Sequence, residues 1–367
     1  MTLTPDPNLP PWKRLKPLPV IFVVGLFAMV WWRGQQHETK RAERRVSAVQ
    51  VVDKHTVLQG KTMGTTFRVK LAGVIPETHS QALLDAVQAE LDAVDAAMST
   101  YKATSELSQF NGLQVGAAQI LSQPTADVLT LALRVGAKSD GAFDVTVGPL
   151  VEAWGFGPKG VQRVPDDATL TALRGAVGAA RVLRFDPKTR ALSKTTAGVH
   201  LDFSAIAKGY GVDRVAARLT KEGVPGFMVE VGGEVRTHGR RADKKPWRIG
   251  IERPNPAGGG VAQVVVVQEQ ALATSGDYRN YREANGVRIS HTIDPRTGRP
   301  IGHGLASVSV LAASCAEADA WATALNVLGP EAGLALADRE GLAAYLLIRS
   351  KDGAFVGRAS QAWPVGK

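Results

Sequence analysis

Residues 65–71 read Thr65-Thr66-Phe67-Arg68-Val69-Lys70-Leu71, polar and apolar by turns. That period of two marks a strand with one buried face. A second period follows at once: Leu84, Val87, Leu91, Val94 and Met98 step by threes and fours, the apolar stripe of a helix. The two periods then trade places along the chain. Residues 105–111 read as a polar loop or short helix, 126–138 as a helix stopped by Ser139-Asp140-Gly141, and 142–147 as a strand or extended loop. A short surface helix is expected over 167–176. Strands over 181–186, 191–194 and 199–203 form a small meander that turns at Asp186-Pro187-Lys188-Thr189. Ile206, Val212, Val215 and Leu219 mark a helix, with Ser204 in the N-cap position. Strands are expected over 227–231, 247–251, 262–267, 307–311 and 343–348, and a helix over 316–328. The expected fold is α+β, with mixed sheets and packed helices in two interleaved lobes and a site between them, preceded by an N-terminal membrane anchor or signal segment.

The chain has 367 residues, enough for one large domain or two intertwined ones. It is 44% hydrophobic and 21% charged, ordinary for a globular protein. The net charge of +10 is partly local to the N-terminal region, at Lys13, Arg14, Lys16, Arg33, Lys40, Arg41, Arg44 and Arg45. The remainder is mildly basic and holds no nucleic-acid-binding module, so nucleic acid is not an expected partner. A few arginines near a site would suit a phosphorylated ligand. Cys315 is the single cysteine, so no intramolecular disulfide forms, and its apolar surroundings suggest a buried, inert thiol.

Leu18 to Trp32, LPVIFVVGLFAMVWW, carries no charge. At about 15 residues it is short against the roughly 20 of a spanning helix and suits a signal-peptide core. No small-x-small cleavage site follows it, and Trp31-Trp32-Arg33 resembles an interfacial belt. An uncleaved signal anchor is the favoured reading and cleavage the alternative. No cysteine follows the run, which excludes lipid attachment there. The expected division is a basic N-region over 1–17, the apolar segment over 18–32, a charged linker over 33–56 and a folded domain over 57–367.

The densest chemistry lies in 273–300, ATSGDYRNYREANGVRISHTIDPRTGRP. It gathers Asp277, Tyr278, Arg279, Tyr281, Arg282, His291, Asp294, Arg296 and Arg299, a density that signals a site. Residues 288–293 alternate as a strand, and Asp294-Pro295-Arg296-Thr297-Gly298 reads as a turn. His291 near the strand end and Asp294 on the turn would then face one pocket mouth. A solvated hairpin is the plainer alternative.

A second stretch runs Asp202-Phe203-Ser204-Ala205-Ile206-Ala207-Lys208-Gly209-Tyr210-Gly211. A helix starting there offers free N–H groups and a positive dipole end to a phosphate, and Lys208 adds a full charge. An ordinary corner with a solvated lysine is the rival. Trp154-Gly155-Phe156-Gly157 could form a wall for a flat ring or simply pack in the core. Gly232-Gly233 permits a tight turn or close approach to a ligand. Asp319 and Thr323, four apart on one helix face, can present oxygens to a hard cation. Asp319 could equally be a favourable helix-start charge.

Seven separated motifs, in this order, resemble the ApbE family of FAD:protein FMN transferases. They are Met63-Gly64-Thr65-Thr66; Met98-Ser99-Thr100-Tyr101; Gly141-Ala142-Phe143-Asp144-Val145-Thr146-Val147-Gly148-Pro149-Leu150 with Trp154-Gly155-Phe156-Gly157; Asp202 through Tyr210; Glu230-Val231-Gly232-Gly233-Glu234; Ser290-His291-Thr292-Ile293-Asp294-Pro295-Arg296-Thr297-Gly298; and Ala318-Asp319-Ala320-Trp321-Ala322-Thr323-Ala324. The resemblance covers about Val57 to Val356. It implies Mg²⁺-dependent transfer of the FMN moiety of FAD to a threonine or serine of an acceptor protein, such as a flavin-carrying membrane redox subunit. It implies FAD contacts at Met63, Tyr101, Ala142, Phe143, Asp144, Asp202, Lys208 and Ile293. It places magnesium on the Ala205 carbonyl, Asp319 and Thr323. Some members carry an aspartate just before that threonine, where this chain has Ala322, so water could replace one ligand.

Within that resemblance His291 is the expected base, since an imidazole titrates near neutrality. Asp294 would orient it or contact metal-bound water, and Lys208 would neutralise pyrophosphate charge. Two alternatives remain open: an FAD pyrophosphatase releasing FMN and AMP, and a non-catalytic flavin carrier. The expected location is the bacterial inner membrane, with the catalytic domain on the periplasmic side, or the periplasm itself after cleavage.

Overall fold

The computed structural model describes residues 48–160, 164–254, 260–276, 281–284, 287–350 and 352–364. Leu18–Trp32, the charged stretch up to Ser47, and Asp277, Tyr278 and Arg279 lie outside the described residues. Among those described, no helix is long and apolar enough to cross a membrane. Val49–Lys367 is a single compact unit rather than two lobes.

Nine strands form the central sheet: β1 (Ala48–Val52), β2 (His55–Thr62), β3 (Thr65–Ala72), β4 (Phe227–Val231), β5 (Glu234–His238), β6 (Ala271–Gly276), β7 (Leu305–Ala312), β8 (Ala343–Arg349) and β9 (Phe355–Ala359). They stand in the sheet in chain order. From β2 to β9 each neighbouring pair is antiparallel. The expected mixed sheets are thus corrected: the central sheet is antiparallel over these pairs, and so are the smaller two- and three-stranded sheets. Tight turns join β2 to β3 and β4 to β5, whereas long excursions join β3 to β4, β5 to β6, β6 to β7 and β7 to β8. The β2–β3 turn is Met63-Gly64, with φ of 43° and 71°. Two left-handed residues are what a two-residue hairpin needs to match strand twist. The sheet's strands begin at Ala48, inside the stretch 33–56.

There are four longer helices, α1 (Glu77–Met98), α2 (Gln123–Lys138), α3 (Ala207–Lys221) and α4 (Cys315–Leu328): α1, α3 and α4 pack against the sheet, and α2 packs on α4. The stripe Leu84, Val87, Leu91, Val94 and Met98 is buried as its spacing requires. Leu84, Val87 and Leu91 meet Phe67, Val69 and Leu71 of β3 and Val212, Val215 and Leu219 of α3 in one core cluster, while Val94 and Met98 belong to a second. That second cluster joins α2 and α4 to Phe143, Leu201 and Phe203. Burying each of these large side chains contributes about 1.5–3 kcal/mol.

Site-bearing segments occupy the sheet's connections. The β3–β4 connection carries Tyr101, 141–157 and 202–208. The β4–β5 turn carries Gly232-Gly233, the β6–β7 connection carries 290–299, and the β7–β8 connection carries α4. Three local expectations are corrected. Residues 142–147 are turns and bends, not a strand. The third strand of the small meander is Ala118–Ile120 rather than 199–203. Leu201 instead gives both backbone groups to the Asn111 amide, at 2.7 and 3.0 Å. The strand over 288–293 breaks at His291-Thr292, where the Ser290 hydroxyl takes the Thr292 N–H at 3.2 Å.

Candidate active site

Lys208 sits on the first turn of α3. The sequence placed the N-cap at Ser204, but the helix begins at Ala207 with Ile206 as N-cap and no capping side chain. The Asp202 carboxylate accepts the Ser204 N–H at 2.8 Å, an Asx turn that bends the chain once before the helix starts. The Phe203 carbonyl then takes the N–H groups of Ile206 and Ala207, at 3.0 and 2.8 Å.

Helices α3 and α4 are fastened at two points. The Gly209 N–H donates to Asp319 Oδ2 at 3.1 Å. The Asp213 carboxylate caps α4, accepting the N–H groups of Cys315 and Ala316 at 2.9 Å each. Glycine at 209 is required by proximity, since a Cβ there would lie 2.4 Å from the Cys315 carbonyl oxygen. Cys315 is fully buried and burial pushes its thiol well up, so it is inert as expected.

The Lys208 ammonium stands between two buried carboxylates, 3.3 Å from Glu234 Oε1 and 3.7 Å from Asp319 Oδ2. It also donates to the Ser204 carbonyl at 3.4 Å, beside Ala205. Burial alone would lower its pKa; the charges of Asp319 and Glu234 outweigh burial and hold it above the usual lysine range. Burial pushes Asp319 up, against the pull of Lys208. Glu234 is pushed up to about 8, chiefly by burial. Its Oε2 is buried without a hydrogen-bond partner.

Thr323 lies one turn beyond Asp319 and is half-buried, and Ala322 is fully buried. One turn further, the buried Asn326 donates to Ser275 Oγ at 3.3 Å and leaves its Oδ1 unpartnered. Among the described residues no cluster of three or more His, Cys, Asp and Glu could hold a metal. The donors available are one carboxylate, one hydroxyl and the Ala205 carbonyl. Magnesium tolerates so sparse a protein set, because it keeps waters and shares substrate phosphates. A carboxylate, a hydroxyl and a carbonyl are the oxygen donors a hard cation takes, so these residues fit the ion.

The aromatic half of the site rests on 154–156 and 290–299. Trp154 is core: it is buried, and its Nε1 donates to the Gly298 carbonyl at 2.8 Å. Phe156 is half-buried, and its ring meets His291 edge-on at 6.4 Å. Its carbonyl accepts the Tyr101 hydroxyl at 3.5 Å, and Tyr101 is 72% exposed. Asp294 is held by Arg296 in a two-pronged pair, Nε to Oδ1 at 2.9 Å and Nη2 to Oδ2 at 2.8 Å. Ile293 is buried beside Trp154.

Other expected contact residues are placed as follows. Ala142 and Phe143 are buried, and Phe143 N donates to Ser139 Oγ at 3.1 Å. Asp144 accepts from Thr146 N and Ala179 N at 2.8 Å each, so it braces its own loop. Asp202 N donates to the Val145 carbonyl at 2.8 Å, tying 142–146 to 202–208. Burial, then the nearby Asp202 carboxylate, raises the Tyr101 hydroxyl's pKa, and Lys208 lies six residues beyond Asp202. Met63 packs against both large cores, its Cε 3.0 Å from where a Gly211 Cβ would be. A separate cavity of about 420 Å³ beside α3 pairs Asp213 with Arg236 and Glu269 with His238, away from this chemistry. Sequence reasoning gave no role to Glu234 or Asp213. A carboxylate directly after Gly232-Gly233 was the available signal for the first.

Residues 63–346 match the model of the ApbE family. The Haemophilus influenzae protein named FAD:protein FMN transferase is 43% identical over 324 residues, 87% of this chain and 93% of that one. The Escherichia coli K12 protein of the same name is 41% identical over 81% of this chain and 85% of its own. The solved flavin transferase ApbE from Vibrio cholerae superposes with a TM-score of 0.77 at 40% identity, covering 86% of this chain and 99% of that one. The chain belongs to the ApbE family.

Proposed function

We propose that this chain transfers the FMN moiety of FAD to a threonine or serine hydroxyl of an acceptor protein and releases AMP. The observation that carries the reading is that segment 202–208 links a charge cluster to an aromatic corner. Lys208 stands between Glu234 and Asp319, while Asp202 is close enough to act on Tyr101, which bonds Phe156 beside His291. The relatives are named for transfer of FMN from FAD to protein, which supports the reading.

In this reading the isoalloxazine ring lies along Tyr101 and Phe156, and the pyrophosphate lies over the first turn of α3. Lys208 and the helix start hold its oxygens. Asp319, Thr323 and the Ala205 carbonyl would hold magnesium, which would supply further charge neutralisation on the pyrophosphate. The acceptor hydroxyl oxygen attacks the FMN phosphorus while His291 takes its proton. The new oxygen–phosphorus bond replaces the bond to the bridging oxygen, which leaves on AMP. The Asp294–Arg296 pair fixes the turn that follows His291.

The acceptor is proposed to be a membrane redox subunit whose flavin is phosphoester-linked. The uncharged run Leu18–Trp32 supports a single-pass inner-membrane anchor, and the catalytic domain is proposed to lie on the periplasmic side. N-terminal sequencing of the mature protein distinguishes this from signal cleavage.

The full-length protein is incubated with FAD, Mg²⁺ and a small domain carrying an acceptor threonine, and the acceptor is weighed by intact mass spectrometry. Gain of one FMN phosphoester is expected. Free FMN and AMP beside an unmodified acceptor would make water the acceptor; intact FAD throughout would make the chain a flavin carrier.

A further inference from the structure

We infer that Glu234 is a positioning residue that draws Lys208 away from Asp319 and so keeps the Asp319 carboxylate available to the cation. The inference rests on the metal reading of Asp319 above.

The geometry is asymmetric. The Lys208 ammonium lies nearer Glu234 Oε1, at 3.3 Å, than Asp319 Oδ2, at 3.7 Å. Glu234 is only 3% exposed, so no water shell competes for its Oε1 as the acceptor for Lys208. Asp319 Oδ2 already accepts the Gly209 N–H at 3.1 Å, which ties that oxygen to α3. The backbone is built to bring Lys208 to Glu234. Gly232 and Gly233 both take left-handed φ, 61° and 108°, and turn the chain directly into Glu234 at the start of β5. A Cβ on Gly232 would lie 3.4 Å from the Lys208 Cδ and 3.0 Å from the Thr65 Cγ2, so the lysine stem passes over the glycine. The Gly233 N–H is fixed by Glu230 Oε1 at 2.7 Å.

Without Glu234 the ammonium has one buried carboxylate left within reach, Asp319. A close Lys208–Asp319 pair would occupy the carboxylate that a cation needs and add a repelling charge beside it. The second Glu234 oxygen, buried and unpartnered, is free of any competing bond that would hold the side chain elsewhere.

The test is Mg²⁺ binding to the full-length protein by isothermal titration calorimetry, without substrate, with folding checked by near-UV circular dichroism. Glu234→Ala is expected to weaken Mg²⁺ binding at least tenfold. Glu234→Gln keeps an acceptor for Lys208 and is expected to stay within about threefold of wild type, as conservative rescue. The double variant Glu234→Ala with Lys208→Met removes the competitor and is expected to recover the lost affinity. If Asp319→Ala abolishes binding while Glu234→Ala binds as wild type, the inference is overturned and the metal reading stands. It is also overturned if Glu234→Gln loses as much as Glu234→Ala, or if the double variant stays as weak. Mg²⁺ binding indifferent to Asp319→Ala, or absent from wild type, would sink the metal reading and this inference together.

Discussion

The Gly209 N–H donates to Asp319 Oδ2 at 3.1 Å, so the backbone of the helix that carries Lys208 holds the buried carboxylate of α4. That contact forms only because residue 209 has no side chain. A Cβ there would press on the Cys315 carbonyl oxygen at 2.4 Å, and backbone cannot step aside as a flexible side chain can.

Gly209→Ala is therefore expected to cost about 1–3 kcal/mol of stability, the usual range for overpacking. Thermal unfolding of the purified variant measures it. A melting temperature equal to wild type would show that the two helices adjust freely.

Trp154→Phe keeps most of the ring volume but removes the donor to the buried Gly298 carbonyl. An acceptor left unsatisfied costs about 1–3 kcal/mol. The affected turn runs from Asp294 to Gly298, directly after His291. Transfer activity is accordingly expected to fall even at temperatures where the variant is fully folded, as assayed below its unfolding transition.

The pH dependence of stability follows from Glu234. Its pKa is pushed up to about 8 in the fold, from a usual 4.5, so the folded state favours the protonated carboxyl. That contribution is complete below pH 4.5 and is lost as pH rises through 8. The slope in between is at most about 1.4 kcal/mol per pH unit. In EDTA, urea denaturation of the wild type is expected to show stability declining across that window relative to Glu234→Gln, which has no proton to lose. Parallel curves for the two proteins would contradict the assignment.

How much of this was legible in the sequence depended on how local each signal is. The alternation over 65–71 and the stripe from Leu84 to Met98 are local, and both elements stand where their periods place them. Ser204 failed as a cap because an Asx turn on Asp202 comes first and the helix starts only at Ala207. The break at His291 was hidden because 288–293 keeps strand alternation, while the Ser290 hydroxyl captures the next free N–H. Glu234 was quoted in a motif without a role: its burial depends on a lysine far away in sequence arriving over Gly232. Trp154 and Phe156 carried the same two readings in the sequence. Tertiary packing separated them, sending the indole to the Gly298 carbonyl and the phenyl ring to His291.

His291→Ala is expected to lower the transfer rate by about 10²–10⁴-fold, the usual contribution of a positioned base. FAD binding, measured by fluorescence quenching, is expected to change little. Transfer at the wild-type rate would remove His291 from the base role.

The most direct measurement is a crystal structure of the protein with FAD and Mn²⁺, using the anomalous signal to locate the metal. The account predicts a peak within coordination distance of the Asp319 carboxylate and the Thr323 hydroxyl, a pyrophosphate beside Lys208, and an isoalloxazine ring against Tyr101 and Phe156. A metal peak away from Asp319, or a flavin bound outside the corner formed by Tyr101, Phe156 and His291, would contradict it.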